Sequence, residues 1–380
     1  MDRRHFLKAS ATAGLLAALP AFAAADYRKL LILLELKGGN DGLNTVIPYA
    51  DGQYAALRPR LAIPRDQVLQ LDEATGLHPA LSALMPLWQA GEVAVVQGVG
   101  YPAANLSHFR SIEIWDTASK SSEYLQDGWL TRAFAQAPVP RSYAADAVVV
   151  GSAEMGPVAG SGTRAIALTN TEQFLQQARL ATASGQAQNT ALGHILRVEQ
   201  DIVQAATGLN ARHTFRTVFP PTGFGNAVRT ACQVAASGGG VAVLKLSING
   251  FDTHSAQLGT HATLLKTLAE GLVALKAGLS EIGRWDDTLV ATYSEFGRRP
   301  RENGSAGTDH GTANAHFVLG GRVKGGLYGQ RPALERLDGN GNLPFAVDFR
   351  SIYATVLERW WGVNASAALR GSFAALPLLP

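Results

Sequence analysis

The sequence has 380 residues, of which 47% are hydrophobic and 17% charged, and its formal net charge is +3 at pH 7. This composition excludes a disordered chain, and the near-neutral charge gives no support to nucleic-acid binding. The single cysteine, Cys232, excludes an internal disulfide and a thiolate metal cluster, so any metal site would use histidine and oxygen ligands.

Residues 1–25 have the layout of an export signal. Arg3-Arg4 precedes Phe6-Leu7-Lys8, a short apolar stretch follows, and Ala21-Phe22-Ala23 places small residues where a signal peptidase cleaves. The apolar stretch is too short to span a bilayer. We therefore expect a twin-arginine signal, export to the periplasm or the cell exterior by the twin-arginine translocase, and no transmembrane segment in the mature chain.

Short apolar runs alternate with helical patterns along residues 26–380. Buried strands are predicted at five runs: Lys29–Leu36, Val93–Val99, Ala147–Gly151, Gly240–Ser247 and Asp287–Tyr293. Helices are predicted from apolar residues at helical spacing over His78–Ala90, Thr190–Ala206, Ala262–Gly283 and Arg350–Trp361. This alternation predicts a single α/β domain over 26–380, with a mostly parallel sheet covered on both faces.

Two of the predicted strands end at polar segments, where open parallel sheets place their sites. Asp41 follows the first strand within Gly38–Gly42, and Asp252 and His254 follow the strand that ends at Ser247. One interpretation is that these side chains face a crevice and coordinate a divalent ion. The other is structural, with Asp41 in an Asx turn, Asp252 as a helix cap and His254 on the surface.

The last predicted strand leads to Arg298 and Arg299, then to a polar loop over residues 303–308 that we expect to be flexible, then to Asp309 and His310. Adjacent aspartate and histidine supply ligands that suit zinc, manganese or iron. The two arginines suit a bidentate grip on an anionic ester, and the alternative is a solvated basic turn.

Another polar cluster surrounds Ser107, with His108 and Arg110 beside it. Ser107 is a candidate nucleophile because a hydroxyl beside a metal ion has a lowered pKa, and His108 or Arg110 would hold the substrate. The alternative is that Ser107 caps a helix. An ordinary serine esterase is not expected, since no serine lies in a Gly-x-Ser-x-Gly elbow, and the nucleotide-binding glycine motifs are also absent from the sequence.

Taken together, these segments resemble the bacterial exported family catalogued as domain of unknown function 1501. The resemblance covers nearly the whole mature chain. It is carried, after the twin-arginine start, by Leu36–Asn44, Ser107–Phe109, Trp115, Asp127–Leu130, Asp252–His254, Ser294–Arg298 and Gly307–His310.

This family is grouped with the alkaline-phosphatase-like superfamily, so the resemblance implies a three-layer α/β/α sandwich with a mostly parallel sheet. It also implies a nucleophile at Ser107 and metal ligands at Asp41, Asp252, His254, Asp309 and His310, with His316 as a candidate for a later histidine. Glu295 stands where the superfamily often has an Asp-His pair and is a further candidate ligand. One residue separates Asp252 from His254, where the superfamily usually has three, and Cys232 is not in a formylglycine motif.

We therefore expect an exported hydrolase of phosphate or sulfate esters that acts on a small anionic ester. It would use one or two divalent ions (zinc, manganese, iron or calcium), with Arg298 or Arg299 neutralising the developing charge. The alternative is a non-catalytic envelope scaffold that binds a protein partner through the same fold. The irregular ligand spacing favours this alternative.

Overall fold

The computed structural model describes residues 25–168 and 213–380. The expected export signal, up to residue 24, and the predicted helix Thr190–Ala206 lie outside the described residues. No helix of the described part combines the length and the apolar character that a membrane span needs.

The strands of the described chain are β1 (Leu30–Lys37), β2 (Val46–Ile47), β3 (Leu69–Gln70), β4 (Gly76–Leu77), β5 (Val93–Gly100), β6 (Ala145–Val150), β7 (Ala165–Leu168), β8 (Val241–Asn249), β9 (Thr288–Tyr293), β10 (Gly297–Glu302), β11 (Thr308–Gly311), β12 (Asn314–Leu319), β13 (Gly326–Gly329) and β14 (Val347–Asp348). The α-helices are α1 (Gly42–Thr45), α2 (Gly52–Leu57), α3 (Met85–Gln89), α4 (His108–Thr117), α5 (Trp129–Gln136), α6 (Gly223–Ala236), α7 (Gln257–Glu281), α8 (Phe349–Ala354) and α9 (Ala365–Leu369). Short 3₁₀ turns cover Pro79–Leu84, Gly156–Val158 and Trp285–Asp287, and a π-helical turn, Thr355–Trp360, continues α8.

The central sheet contains nine of the described strands, in the order β13-β5-β12-β9-β1-β8-β6-β7, with β14 also paired to β5. Only β12 runs antiparallel to its neighbours among these strands, and every other pair is parallel. The five predicted strands correspond to β1, β5, β6, β8 and β9. The prediction of a mostly parallel sheet is therefore confirmed.

Each face of the sheet is buried under helices. Along β1 the side chains alternate, so that Leu30 and Ile32 enter one hydrophobic core while Leu31 and Leu33 enter the other. The first core includes residues of α6 and α7, and the second includes residues of α4, α5, α8 and α9. Because both faces are covered, the strands are predominantly apolar, and the three-layer α/β/α arrangement is confirmed.

The polar loop predicted over residues 303–308 connects β10 and β11, which form an antiparallel hairpin, and its last residue, Thr308, begins β11. The Asn303 side chain stabilises the turn, because its Oδ1 accepts hydrogen bonds from the backbone N–H groups of Ser305 (2.9 Å) and Gly307 (3.1 Å). The hairpin pairs Arg298 with His310. It thereby returns His310 to the edge of the sheet where β1, β8 and β9 end.

Candidate metal centre

A cluster of histidine and carboxylate groups lies beyond the ends of β1, β8 and β9. His254 Nε2 is 2.9 Å from His310 Nε2 and 3.0 Å from Asp252 Oδ1, and His310 Nε2 is 3.3 Å from the same oxygen. His108 Nε2 approaches the other oxygen of Asp252 at 3.5 Å. Zinc–nitrogen bonds of about 2.0–2.1 Å in a tetrahedron place neighbouring ligand atoms about 3.3 Å apart. These atoms therefore have the spacing of ligands around one ion.

In each of the three imidazoles, Nδ1 faces an oxygen of the protein and Nε2 faces Asp252. His108 Nδ1 donates to Glu295 Oε1 (2.8 Å), His310 Nδ1 donates to the carbonyl of Leu106 (2.8 Å), and His254 Nδ1 lies 3.5 Å from an Asp309 carboxylate oxygen. A proton held on Nδ1 leaves the Nε2 lone pair free, and in metal sites ligating histidines are fixed in this way by carboxylates or carbonyls. All three Nε2 atoms are thus turned toward Asp252.

Glu295 is a positioning group for His108. Its Oε1 also accepts the backbone N–H of Gly38 (2.9 Å), and its Oε2 accepts the hydroxyl of Ser294 (3.3 Å). The side chain is buried, so these bonds occupy the carboxylate without solvent. Glu295 therefore lies behind His108, and Asp252 is the carboxylate within the cluster.

Arg298 joins the loops that carry the cluster. Its guanidinium is fully buried and donates to the carbonyls of Gly39 (2.6 Å), Thr308 (2.8 Å) and Phe251 (3.0 Å), and to Asp252 Oδ1 (2.7 Å). Burial would raise the pKa of Asp252, but the hydrogen bond and charge of Arg298 outweigh it and lower the pKa. Asp252 is thus held ionised. The Arg298 donors named above bind protein groups and are therefore not directed at a ligand.

Asp41 is brought to the same end of the sheet but is bonded elsewhere. Arg58 binds Asp41 with both terminal nitrogens (Nη1–Oδ2 2.6 Å, Nη2–Oδ1 3.0 Å). The Oδ1 atom of Asp41 also caps α1 by accepting hydrogen bonds from the N–H groups of Leu43 and Asn44. The Gln257 amide also donates to it. Both partners of the ion pair are fully buried. Asp41 therefore performs a structural task in this arrangement and lies outside the cluster.

Ser107 and Arg299 border the cluster from the outside. Ser107 is exposed at the N-cap of α4, directly before His108, and its hydroxyl makes no capping hydrogen bond. Arg299 is half-buried, and its Nε has no hydrogen-bond partner among the described residues. Arg299 and Leu106 both line a cleft of about 410 Å³. Because the Leu106 carbonyl holds His310, the cleft begins next to the cluster.

Asp309 is exposed at the outer side of the cluster. The Asn303 amide donates to its Oδ1 (3.1 Å), and this bond together with the interaction with His254 lowers the pKa of Asp309. His316 lies apart, buried in the core at 5.3 Å from the Trp115 ring, with neither ring nitrogen bonded within the described chain. Burial lowers the pKa of His316 to about 3.

The structure thus brings together Asp252, His254, Asp309 and His310, with Glu295 behind them, and leaves Asp41 and His316 outside. The sequence analysis placed His108 only as a substrate contact, whereas it belongs to the same cluster as Asp252 and His310. The sequence offered one indication of this role, since His108 lies directly after the candidate nucleophile Ser107.

A family model described as "Protein of unknown function (DUF1501)" matches residues 88–370. The chain belongs to the DUF1501 family. No curated protein matches the DUF1501 chain.

Solved structures with some similarity to this DUF1501 protein include Ps i-CgsB in complex with k-i-k-neocarrahexaose (12% identity, 90% of this chain and 72% of that chain, TM-score 0.43). They also include the PsFucS1 sulfatase from Pseudoalteromonas sp. (12%, 93% and 72%, TM-score 0.41). A third is a protein in the alkaline phosphatase superfamily from Vibrio parahaemolyticus (12%, 90% and 69%, TM-score 0.39). These TM-scores are below 0.5, so what those proteins bind or hydrolyse says nothing about this chain.

Proposed function

We propose that this protein is an exported, metal-dependent hydrolase of phosphate or sulfate esters. The observation that carries the proposal is the convergence of His254 Nε2 and His310 Nε2 on Asp252 Oδ1, within 3.3 Å. The Leu106 carbonyl accepts the Nδ1 proton of His310, so the Nε2 lone pair of His310 is directed toward Asp252, where a divalent ion would bind both. The donor set therefore fits a divalent ion.

Asp252, His254 and His310 would hold that ion, with His108 on the second oxygen of Asp252 and Asp309 at the outer side. Nitrogen donors favour zinc, manganese or iron over calcium, which prefers an all-oxygen site. When bound, a divalent ion supplies Lewis acidity toward the ester and lowers the pKa of a hydroxyl or water beside it.

The protein residues have separate tasks in this proposal. The exposed Ser107 hydroxyl at the start of α4 would lose its proton and attack the phosphorus or sulfur atom while the alcohol leaves, and water would then hydrolyse the seryl ester. Direct attack by water is the alternative. Arg299 lines the cleft and has no ion pair within the described chain, so it would neutralise the oxygens of the ester. Arg298 holds Asp252 in place.

A panel of 4-nitrophenyl phosphate, phosphate diester and sulfate tests the proposal on metal-loaded protein. Removing one donor to the reacting oxygens typically lowers kcat about 10²–10³-fold, so Arg299→Gln should fall by that amount. Arg301→Gln is the matched control, because Arg301 is an exposed arginine on the same strand. Ser107→Ala distinguishes the serine from water as nucleophile. Wild-type activity in His310→Ala would refute the proposal.

The second candidate is the non-catalytic envelope protein. It is favoured by Arg298, which donates its hydrogen bonds to groups of the protein, and by Asp41, which forms a buried ion pair with Arg58. In that case the protein would hold no metal and would hydrolyse none of the esters.

A further inference from the structure

A second cavity, of about 220 Å³, lies between α1, β5, β12 and the segment over residues 330–346. None of the cluster residues described above lines it, so it is separate from the proposed metal centre. Its walls are largely apolar and include Leu43, Val46, Ala315 and Leu343. Binding an apolar molecule in such a cavity is favourable, because it removes apolar surface from water.

Three amide side chains line this cavity: Asn314 is hydrogen-bonded to the backbone, Gln330 is exposed, and Gln97 is buried. Gln97, near the end of β5, is only 5% exposed, and its carboxamide makes no hydrogen bond to any described residue. Alternation along the strand places it on the face of Val93 and Val95, in the core that also contains Val46 and Ala315. A buried amide is normally hydrogen-bonded, so Gln97 is available to a ligand.

The mouth of the cavity is positively charged. Arg331 and Arg336 line it and are exposed, and no aspartate or glutamate is among the described lining residues. Arg331 has no ion pair within the described chain, and Arg336 has only its sequence neighbour Glu335 at 3.6 Å. Exposed pairs of that length contribute little, so both guanidinium groups are free to bind an anion.

We propose that this cavity binds a small carboxylate with an apolar body and a second polar group at its far end, as in a hydroxyaryl acid. The carboxylate would meet Arg331 at the mouth, and the hydroxyl would bond to the Gln97 amide inside. A dry cavity of about 150 Å³ holds benzene. The larger volume here admits a substituted ring of roughly ten non-hydrogen atoms.

Ligand-observed NMR and calorimetry on the folded mature chain test this, with 4-hydroxyphenylacetate as the probe. Loss of a charged hydrogen bond corresponds to roughly a tenfold or larger change in Kd, so Arg331→Gln and the neutral 4-hydroxyphenylacetamide should each weaken binding by at least that factor. Arg229→Gln, which changes an exposed arginine on α6, is the matched control. Phenylacetate should bind more weakly than the probe, and Gln97→Leu should abolish that difference.

Ala333→Trp provides a test that does not alter the core, because Ala333 is a half-buried loop residue at the cavity. The indole should fill the cavity and eliminate binding while the unfolding midpoint stays near that of the wild type. The proposal is overturned if the wild type binds no probe at about 10 mM, or if Arg331→Gln and Ala333→Trp both bind it like the wild type.

Discussion

Replacing Asp41 by asparagine should destabilise the fold and leave the proposed metal centre loaded. Asp41 and Arg58 form a fully buried ion pair, in which the charge and hydrogen bonds of Arg58 outweigh the effect of burial and lower the pKa of Asp41. Removing one partner of such a pair costs about 3–5 kcal/mol, because the other charge is left buried. The asparagine Oδ1 still caps α1, and since a cap is worth about 1 kcal/mol, Asp41→Ala should cost about that much more.

Urea unfolding followed by tryptophan fluorescence measures these differences. Asp51→Ala is the matched control, because Asp51 caps α2 through the N–H of Gln53 (2.9 Å) and has no ion pair within the described chain, so it should lose only about 1 kcal/mol. Adding Arg58→Met to Asp41→Asn should recover part of the loss. The reasoning is refuted if Asp41→Asn is as stable as the wild type, or if it stays folded and loses metal as His310→Ala does.

Three further predictions concern other parts of the chain. Gly38→Ala should lower the free energy of unfolding by about 1–3 kcal/mol and lower the metal content. Gly38 has φ +113°, and an added Cβ would lie 2.4 Å from the backbone nitrogen of Asp252. The control Gly259→Ala should change neither quantity, because a Cβ at Gly259 would meet no atom within 4 Å. Between pH 7 and pH 5, His316 takes up a proton in the unfolded chain but not in the folded chain, where its pKa is about 3. The free energy of unfolding should therefore fall by about 2 kcal/mol over this range. Urea unfolding of His316→Phe should lack this part of the fall. Burial raises the pKa of Cys232 to about 12, so Ellman's reagent should leave the native thiol unmodified and label it only in urea, and fast labelling of native protein would contradict this.

The strands that could be predicted from the sequence are those buried on both faces. β1, β8 and β9 are predominantly apolar, which is typical of a parallel strand between two helical layers. β12 could not be predicted in this way, since Asn314 and His316 interrupt its apolar pattern although every residue in it is buried. The hairpin of β10 and β11 was hidden for a similar reason, because its strands are polar and its turn resembles a loop.

The candidate site could be predicted as a set of motifs but not as a set of contacts. Asp252 follows the predicted strand β8, so its position at this edge of the sheet is expected from parallel topology. His310 reaches the same edge through the unpredicted hairpin of β10 and β11. The pairing of His108 with Glu295 joins residues 187 positions apart, and no spacing in the sequence encodes it. Arg58 likewise has no motif around it, and its ion pair with Asp41 depends on the path of the loops.

The central claim is that the cluster around Asp252 holds a metal ion, and metal content by mass spectrometry tests it most directly. The samples are protein exported to the periplasm, as wild type, as His254→Ala with His310→Ala, and as His213→Ala, which changes a histidine outside the cluster. We predict about one equivalent of zinc, manganese or iron in the wild type and in the control, and almost none in the double variant. A folded wild type without metal, or equal metal in all three proteins, would contradict the account.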